Sequence, residues 1–455
     1  MSTAPSFSVD QLREEIRSGD IDTVVVAFTD MQGRLQGKRV HGPFFLEHVL
    51  KEGVEGCSYL LAVDVDMNTL EGFAMTSWES GYGDFEFVLD IATLRRTPGE
   101  PGSAMVQCDL VWNDGSGPVR PSPRGMLSRQ IEAAADRGFD ALAGTELEFI
   151  VFDNSYEDAW SRRYQDLQGS NRYNVDYSVL GGGRVEPLLR DIRNQMYRAG
   201  MVVESAKGEC NLGQHEIGFL YDKVMPTCDN HVVYKNGAKH IASLHGQSVT
   251  FMAKYDEREG SSCHIHMSLR GTDGSMVFAD ESRDGGRSEL MDHFMAGVLA
   301  TMREFTYFYA PNINSYKRFA EGSFAPTGVA WGRDNRTCAL RVVGHGAGLR
   351  VENRLPGGDV NPYLATAAMM AGGLYGIRES LPLPDACTGN AYTAGYEQVP
   401  LTLADARDLL AASTIAREAF GEDVIDHYVN AADKEVAAFN HAVTDWERVR
   451  GFERL

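Results

Sequence analysis

Alternation of apolar and polar positions recurs at three separated places in the chain and predicts three strands of one kind. In "TELEFIVF", Leu147, Phe149 and Val151 take one face while Glu146 and Glu148 take the other, because residues two apart share a face of a strand. In "SSCHIHMSLR", Cys263, Ile265, Met267 and Leu269 oppose His264, His266 and Ser268. In "GLRVENRLP", Leu349, Val351 and Leu355 oppose Arg350, Glu352 and Arg354. Any one of them reads as a half-wet edge strand, and the glutamates alone read equally as an acid/base pair or a cation site. Three such strands together predict a sheet whose polar face is the floor of an active site.

Elsewhere, "IDTVVVAFTD" and "MQGRLQGKRV" predict two strands around a glycine turn, opening a small β-rich unit over residues 1–115. "NDGSGPVRPSPRG" then collects turn formers, with Ser122 as N-cap and Pro123 at N1 of a helix burying Leu127, Ile131 and Ala134. This places a domain boundary before a larger unit, 116–455, that alternates charged-face strands with long helices. "YLATAAMMAGGLYG" is too short and glycine-broken to span a bilayer and predicts a buried, closely packed helix. Near the end, Ile425, Tyr428, Val429, Ala432, Val436 and Phe439 keep helical spacing. The tail "DWERVRGFERL" carries four large apolar residues three apart, predicting docking on a neighbouring subunit or packing on its own domain.

Composition narrows the partners. With 455 residues, 43% hydrophobic, the chain is long enough for a large core in two domains, and a net charge of -21 argues against nucleic acid and anionic membranes. Seven scattered cysteines without a C-x-x-C pair predict reduced thiols, and the N-terminus lacks the basic-then-apolar pattern of an export signal, so a cytoplasmic protein is expected.

Candidate chemistry follows from the charges. In "KGECNLGQHEIGF", Glu209 and Glu216 bracket a glycine turn, which is either a surface turn or a device bringing both carboxylates to one point. With Glu146, Glu148, Glu352 and His264 they make five carboxylates and one imidazole, a set suited to Mg²⁺ or Mn²⁺. Six protein ligands exceed what one Mg²⁺ that keeps its waters takes, so two or more ions are implied. Arg318, Arg336, Arg341, Arg350 and Arg354 supply planar forks for carboxylate or phosphate.

In this order, "TELEF", "GECNLGQHE", "GSSCHIHMS", "NSYKR", "NRTCALR" and "RVENRLPGGDVNPYL" resemble the glutamine synthetase family, type I, over nearly the whole chain. The wording is most similar to actinobacterial members that join glutamate to ethanolamine or polyamines. The resemblance implies an α+β fold: a β-grasp-like N-terminal domain and a catalytic domain with a curved antiparallel sheet. It implies that Glu148, Glu209 and Glu216 hold one ion and Glu146, His264 and Glu352 another, with two or three Mg²⁺ or Mn²⁺ per site. Arg318, Arg354 and the Gly260 backbone would bind glutamate, Arg336 and Arg341 would steady the transferred phosphoryl group, and Tyr221, His266, Ser268 and Arg350 would serve ATP. It further implies a cytoplasmic homododecamer of two six-membered rings, with sites shared between neighbours.

Two departures bear on the amine. Ammonia-using members carry a glutamate just before Ala-Pro in the loop after "NSYKR", whereas this chain reads "FAEGSFAP", with Phe324 there. The family's "DGSS", whose aspartate helps bind ammonium, is matched by "EGCS" with Glu55. A phenyl ring accepts no proton but offers a cation a π face or an alkyl chain a wall. The expectation is a primary alkylamine, ethanolamine before polyamines, with Glu55 or Glu321 supplying negative charge. The open alternatives are ammonia with another carboxylate as base, a catalytically idle relative, and phosphoryl transfer without amide formation. The loop around Tyr392 only loosely matches the segment adenylylated in some members, so that regulation is not expected.

Overall fold

The two strands expected at the start form as β1 (Thr23–Thr29) and β2 (Leu35–His41), antiparallel around a turn in which Gly33 takes φ 78°. The structure is a computed structural model and describes residues 4–455. β1 lies parallel to β5 (Ser103–Trp112), which pairs with β4 (Asp84–Arg96), and β4 with β3 (Val54–Cys57), giving the order β2-β1-β5-β4-β3. Alternate residues of these strands point inward, and Phe28 meets Phe85 and Phe87 edge-on with ring centroids 5.7 and 5.1 Å apart.

The second sheet is built around the long strand β6 (Phe139–Phe152). Its other strands are β7 (Val203–Gly208), β8 (Gln214–Phe219), β9 (Asp222–Lys223), β10 (Ser248–Thr250), β11 (Cys263–Gly271), β12 (Trp331–Arg333), β13 (Leu340–Val343) and β14 (Arg350–Asn353). The order is β12-β13-β14-β11-β6-β8-β7, antiparallel except for the β12/β13 pair. The three alternating segments therefore lie side by side in the interior of one sheet, which excludes the half-wet edge strand. Their apolar positions, among them Leu147, Phe149, Ile265, Met267 and Val351, are all at most 1% exposed, packed in the core that includes the helices Pro123–Ala135, Val224–Leu244 and Pro362–Glu379. The fold is α+β, with a curved, largely antiparallel floor.

The helix Pro123–Ala135 starts where expected, but the Ser122 hydroxyl makes no capping bond; Pro123 at N1 has no N–H and so leaves one fewer orphan donor at the helix start. The start is held instead by Arg124, buried and bonded to Asp90 and Asp109 of the first sheet and to Asp229 of the helix Val224–Leu244. Asn361 adds a second tie, its Nδ2 donating to the Asp30 and Met31 carbonyls at 3.0 and 3.1 Å.

The glycine-broken helix is Pro362–Glu379, and its glycines let it close on the helix Glu289–Thr301. The C-terminal helix Glu422–His441 buries Ile425, Tyr428 and Ala432, but its end runs clear of the body and leaves Phe439 exposed, against the expectation. The tail does not pack on its own domain: Trp446, Val449, Phe452 and Leu455 are each at least 65% exposed. Among the described residues no helix is long and apolar enough to cross a membrane.

A Cβ added at Gly376 would lie 2.1 Å from the His293 carbonyl oxygen, backbone that cannot yield cheaply. Gly376→Ala is therefore expected to cost about 1–3 kcal/mol in urea unfolding, as overpacked cores do; an unchanged midpoint would show that the two helices slide apart freely.

Candidate active site

Register decides which charges meet. Across the antiparallel pairs His264 stands opposite Glu146, Glu148 opposite Glu216, His266 and Arg341 opposite Glu352, and Lys207 opposite Glu216. Directly opposed residues share a face of the sheet, so all of these side chains converge on one surface.

They form two groups. In the first, oxygens of Glu148, Glu209 and Glu216 lie within 4.8 Å of one another. The turn that returns Glu216 to Glu209 requires glycine: Gly213 has φ 74°, and a Cβ there would sit 2.4 Å from the Val151 carbonyl oxygen. Glu148 accepts from the Ser262 N–H at 2.7 Å and from Gln214 Nε2 at 2.9 Å. Gln214 also donates to the Gly260 carbonyl at 3.0 Å. Glu209 is paired with the Lys207 ammonium. Burial, then repulsion from Glu209, pushes Glu148 up to about 7. Burial, then repulsion led by Glu146, pushes Glu216 up to about 8, and Glu209 is raised as well. Three carboxylates facing one ammonium are short of positive charge, so the donor set fits a hard divalent cation.

The second group is Glu146, His266 and Glu352, with donor atoms again within 4.8 Å. His264, expected here in place of His266, adjoins the same carboxylates, its Nδ1 3.3 Å from Glu146 and 3.4 Å from Glu352. Both imidazoles therefore reach Glu146. Arg350 Nε donates to His266 Nδ1 at 3.1 Å, which makes His266 Nε2 the proton-bearing nitrogen, 2.9 Å from Glu146. His264 Nδ1 faces two carboxylates, which only accept, so it bears the proton and Nε2 is a buried lone pair without a partner. Burial lowers the His264 pKa to about 4, so the ring is neutral at pH 7, as a metal ligand must be. Burial alone would raise Glu146, but hydrogen bonds from His264 and His266 hold it well below the carboxylate range. Glu352, fully buried, is bonded to Arg341 at 3.0 Å and to Arg354.

The other expected residues distribute as follows. Tyr221, His266, Ser268 and Arg350 line one cleft of about 410 Å³ that Glu146 and Glu216 also border. Gly260 lets the backbone close on Arg318, since a Cβ would lie 3.0 Å from its Cγ. Arg318 is turned inward, donating to the Leu355 and Arg354 carbonyls and the Ser262 hydroxyl, so its terminal nitrogens brace the strand end. Arg336 stands exposed near Asp334, which also pairs with Arg341, and Arg341 is held by Glu352 as well. Phe324 is 56% exposed with φ 57°, a left-handed conformation that a bulky residue adopts at a cost. Its carbonyl accepts from Arg354 at 3.4 Å, and the next carbonyl, of Ala325, accepts from the Tyr392 hydroxyl at 2.9 Å. Glu55 is exposed on edge strand β3 and belongs to neither carboxylate group of this chain.

Sequence reasoning passed over Lys207 and Gln214. Both lie within the segment already singled out, and each shares a strand face or turn with a candidate glutamate, which was the available signal.

The catalytic domain of glutamine synthetase, taken as a family, matches residues 120–450 of this chain. γ-Glutamylethanolamide synthetase GlnA4 of Streptomyces coelicolor is 61% identical over 451 residues, covering 99% of this chain and 97% of that protein. Glutamate–isopropylamine ligase of a Pseudomonas species is 36% identical over 455 residues, covering 99% of each. A solved structure of GmaS with ADP superposes with a TM-score of 0.85 at 24% identity, covering 97% of this chain and 99% of that one, which bears on the fold.

Burial and mutual repulsion push Glu216 and Glu148 up to about 8 and 7, well above the usual carboxylate range. The folded state then binds more protons than the unfolded one across that window, so metal-free stability falls as pH rises from about 5 to 8. Adding Mn²⁺ should restore it, most at the alkaline end. Glu216→Gln should raise metal-free stability at pH 8 by about 1–3 kcal/mol and abolish the Mn²⁺ gain. Urea titrations with and without the ion check both, and an undiminished Mn²⁺ gain in the variant would remove Glu216 from the cation group.

Proposed function

The chain belongs to the glutamine synthetase family, and on that premise we propose that it is an ATP-dependent ligase joining the γ-carboxylate of glutamate to a small primary amine, ethanolamine first. The observation that carries the amine is Phe324, which stands, in the left-handed conformation, where ammonia-using members have a proton-accepting glutamate. The 61% identity to a γ-glutamylethanolamide synthetase over essentially the whole chain supports the same reading.

In this reading ATP lies in the cleft lined by Tyr221, His266, Ser268 and Arg350. Glutamate lies beside Gly260, held by the forks of Arg354 and, once it turns, Arg318. Divalent cations would be held by Glu148, Glu209 and Glu216 and by Glu146, His264 and Glu352, and would neutralise the charge of the phosphates. The γ-carboxylate attacks the terminal phosphorus, ADP leaves, and the amine opens the γ-glutamyl phosphate to give amide and phosphate. Arg341 and Arg336 face the transferred group, so that charge building on its oxygens meets fixed guanidinium. Phe324 closes the amine side with an apolar wall, and Arg354, bonded to its carbonyl, couples that wall to the glutamate site. The amine's proton passes to Glu321 of the same loop or to Glu55. Glu55 belongs to the small domain of a neighbouring subunit, in a cytoplasmic dodecamer of two six-membered rings.

Phosphate release with glutamate and ATP should be fast with ethanolamine, slower with putrescine or spermine, and at background with ammonium. Turnover with ammonium alone would refute the amine reading, and no ADP with any amine would mark an idle relative. Phe324→Glu should raise ammonium-dependent turnover several-fold and lower kcat/KM for ethanolamine; no gain with ammonium would separate the loop from the choice of amine.

A further inference from the structure

Two of the seven cysteines that look scattered along the chain are neighbours in the fold. Cys338 is fully buried and Cys387 is 7% exposed, and with Ala330 and Ala391 they form a small cluster apart from the main core, with Tyr396 packed against it. The two side chains pack against each other in this cluster, and the Cys387 Sγ donates to the Gly389 carbonyl at 3.6 Å.

The chains carrying them are already braced together. The Cys387 N–H donates to the Trp331 carbonyl at 2.8 Å, Asn335 Nδ2 to the Gly389 carbonyl at 2.8 Å, and the Ala391 N–H to the Thr337 hydroxyl at 3.0 Å. Gly332 leaves room beside them, since a Cβ there would crowd Asn335 at 2.8 Å and the Cys338 sulfur at 3.1 Å. Each cysteine is also tied to the active site. Cys338 lies between Arg336 and Arg341, and the segment after Cys387 leads to Tyr392, whose hydroxyl holds the carbonyl next to Phe324.

We propose that Cys338 and Cys387 are a modification site, a dithiol that a peroxide closes to a reversible disulfide, pinning the arginine-bearing loop to the segment that supports Phe324. Cys387, the less enclosed, reacts first: its thiolate attacks the peroxide O–O bond, taking one oxygen as sulfenic acid and releasing water or alcohol. Cys338 then attacks that sulfur, a second water leaves, and two electrons have passed from the dithiol to the peroxide. Burial pushes the Cys338 thiol up to about 12, so it stays protonated and does not make the first attack; its packing against Cys387 is what places it at the sulfenic sulfur. An external dithiol reverses the bond.

The purified full-length enzyme is treated with hydrogen peroxide, the peroxide is removed, the chain is unfolded in urea so that every remaining thiol is capped with a maleimide, and peptides are mapped by mass. The expected result is one joined pair containing Cys338 and Cys387, two hydrogens lighter, undone by dithiothreitol. ATP turnover should fall several-fold on oxidation and return on reduction. Cys338→Ser and Cys387→Ser should keep full turnover and lose the response, and Cys338→Ser should yield a sulfenic acid at Cys387 that dimedone traps. The proposal is overturned if both cysteines remain open to the maleimide, or if the pair joins and turnover is unmoved. Because the bond is read by mass, this outcome is independent of which amine the enzyme uses.

Discussion

Five carboxylates on one face of one sheet repel one another, and the surrounding structure is an answer to that repulsion. Each has a different compensation. Glu146 takes hydrogen bonds from two imidazoles, Glu352 lies between two guanidinium groups, and Glu148 accepts from a backbone N–H and an amide. Glu209 has the Lys207 ammonium, and Glu216 has the same lysine only across the strand pair. The deficit is therefore not spread evenly: it collects at Glu148, Glu209 and Glu216, whose proton affinities are raised. A site that prefers protons at neutral pH for want of positive charge also prefers a divalent cation, which supplies more of it.

Such a charge arrangement holds only on a rigid support. The opposite face of the same strands is packed into the main core with long helices, one of which approaches its neighbour through glycines. Buried Arg124 and Asn361 tie the first sheet to that body with directional bonds, so the two sheets keep their relation. The backbones of Glu146, Glu148, Glu216 and Glu352 cannot move apart without breaking an interior strand pair, and Glu209 is held at the turn by its own pairing with Lys207.

The exposed part of the site lies at the rim. The loop bearing Phe324 contributes a ring to solvent and a carbonyl to Arg354, and Tyr392 holds the adjacent residue. Membership of the glutamine synthetase family accounts for the floor. A phenyl ring in place of a carboxylate at the rim changes what can be held there and what can be deprotonated, which is the basis of the amine we propose.

Much of the floor was legible in the amino-acid order, because a strand has a period of two. "TELEF", "CHIHMS" and "RVENR" each separate an apolar face from a functional one, and that separation survives whatever the strands pair with. The buried helix and the first hairpin were readable for the same local reasons. What the order could not contain was register and distance. That Glu148 faces Glu216, that His266 joins His264 at Glu146, and that Lys207 neutralises Glu209 are facts about neighbouring strands separated by tens of residues. Arg318 turning inward, Arg336 standing exposed and Glu55 lying outside both carboxylate groups are likewise matters of three-dimensional packing. Cys338 and Cys387 make the point most simply: 49 positions apart in the chain, they touch because hydrogen bonds between their loops draw them together. Sequence by itself determined which residue types lie on each face; only the tertiary structure decided which of them are close enough to act on one another, because Coulomb and hydrogen-bond energies depend on separation in space.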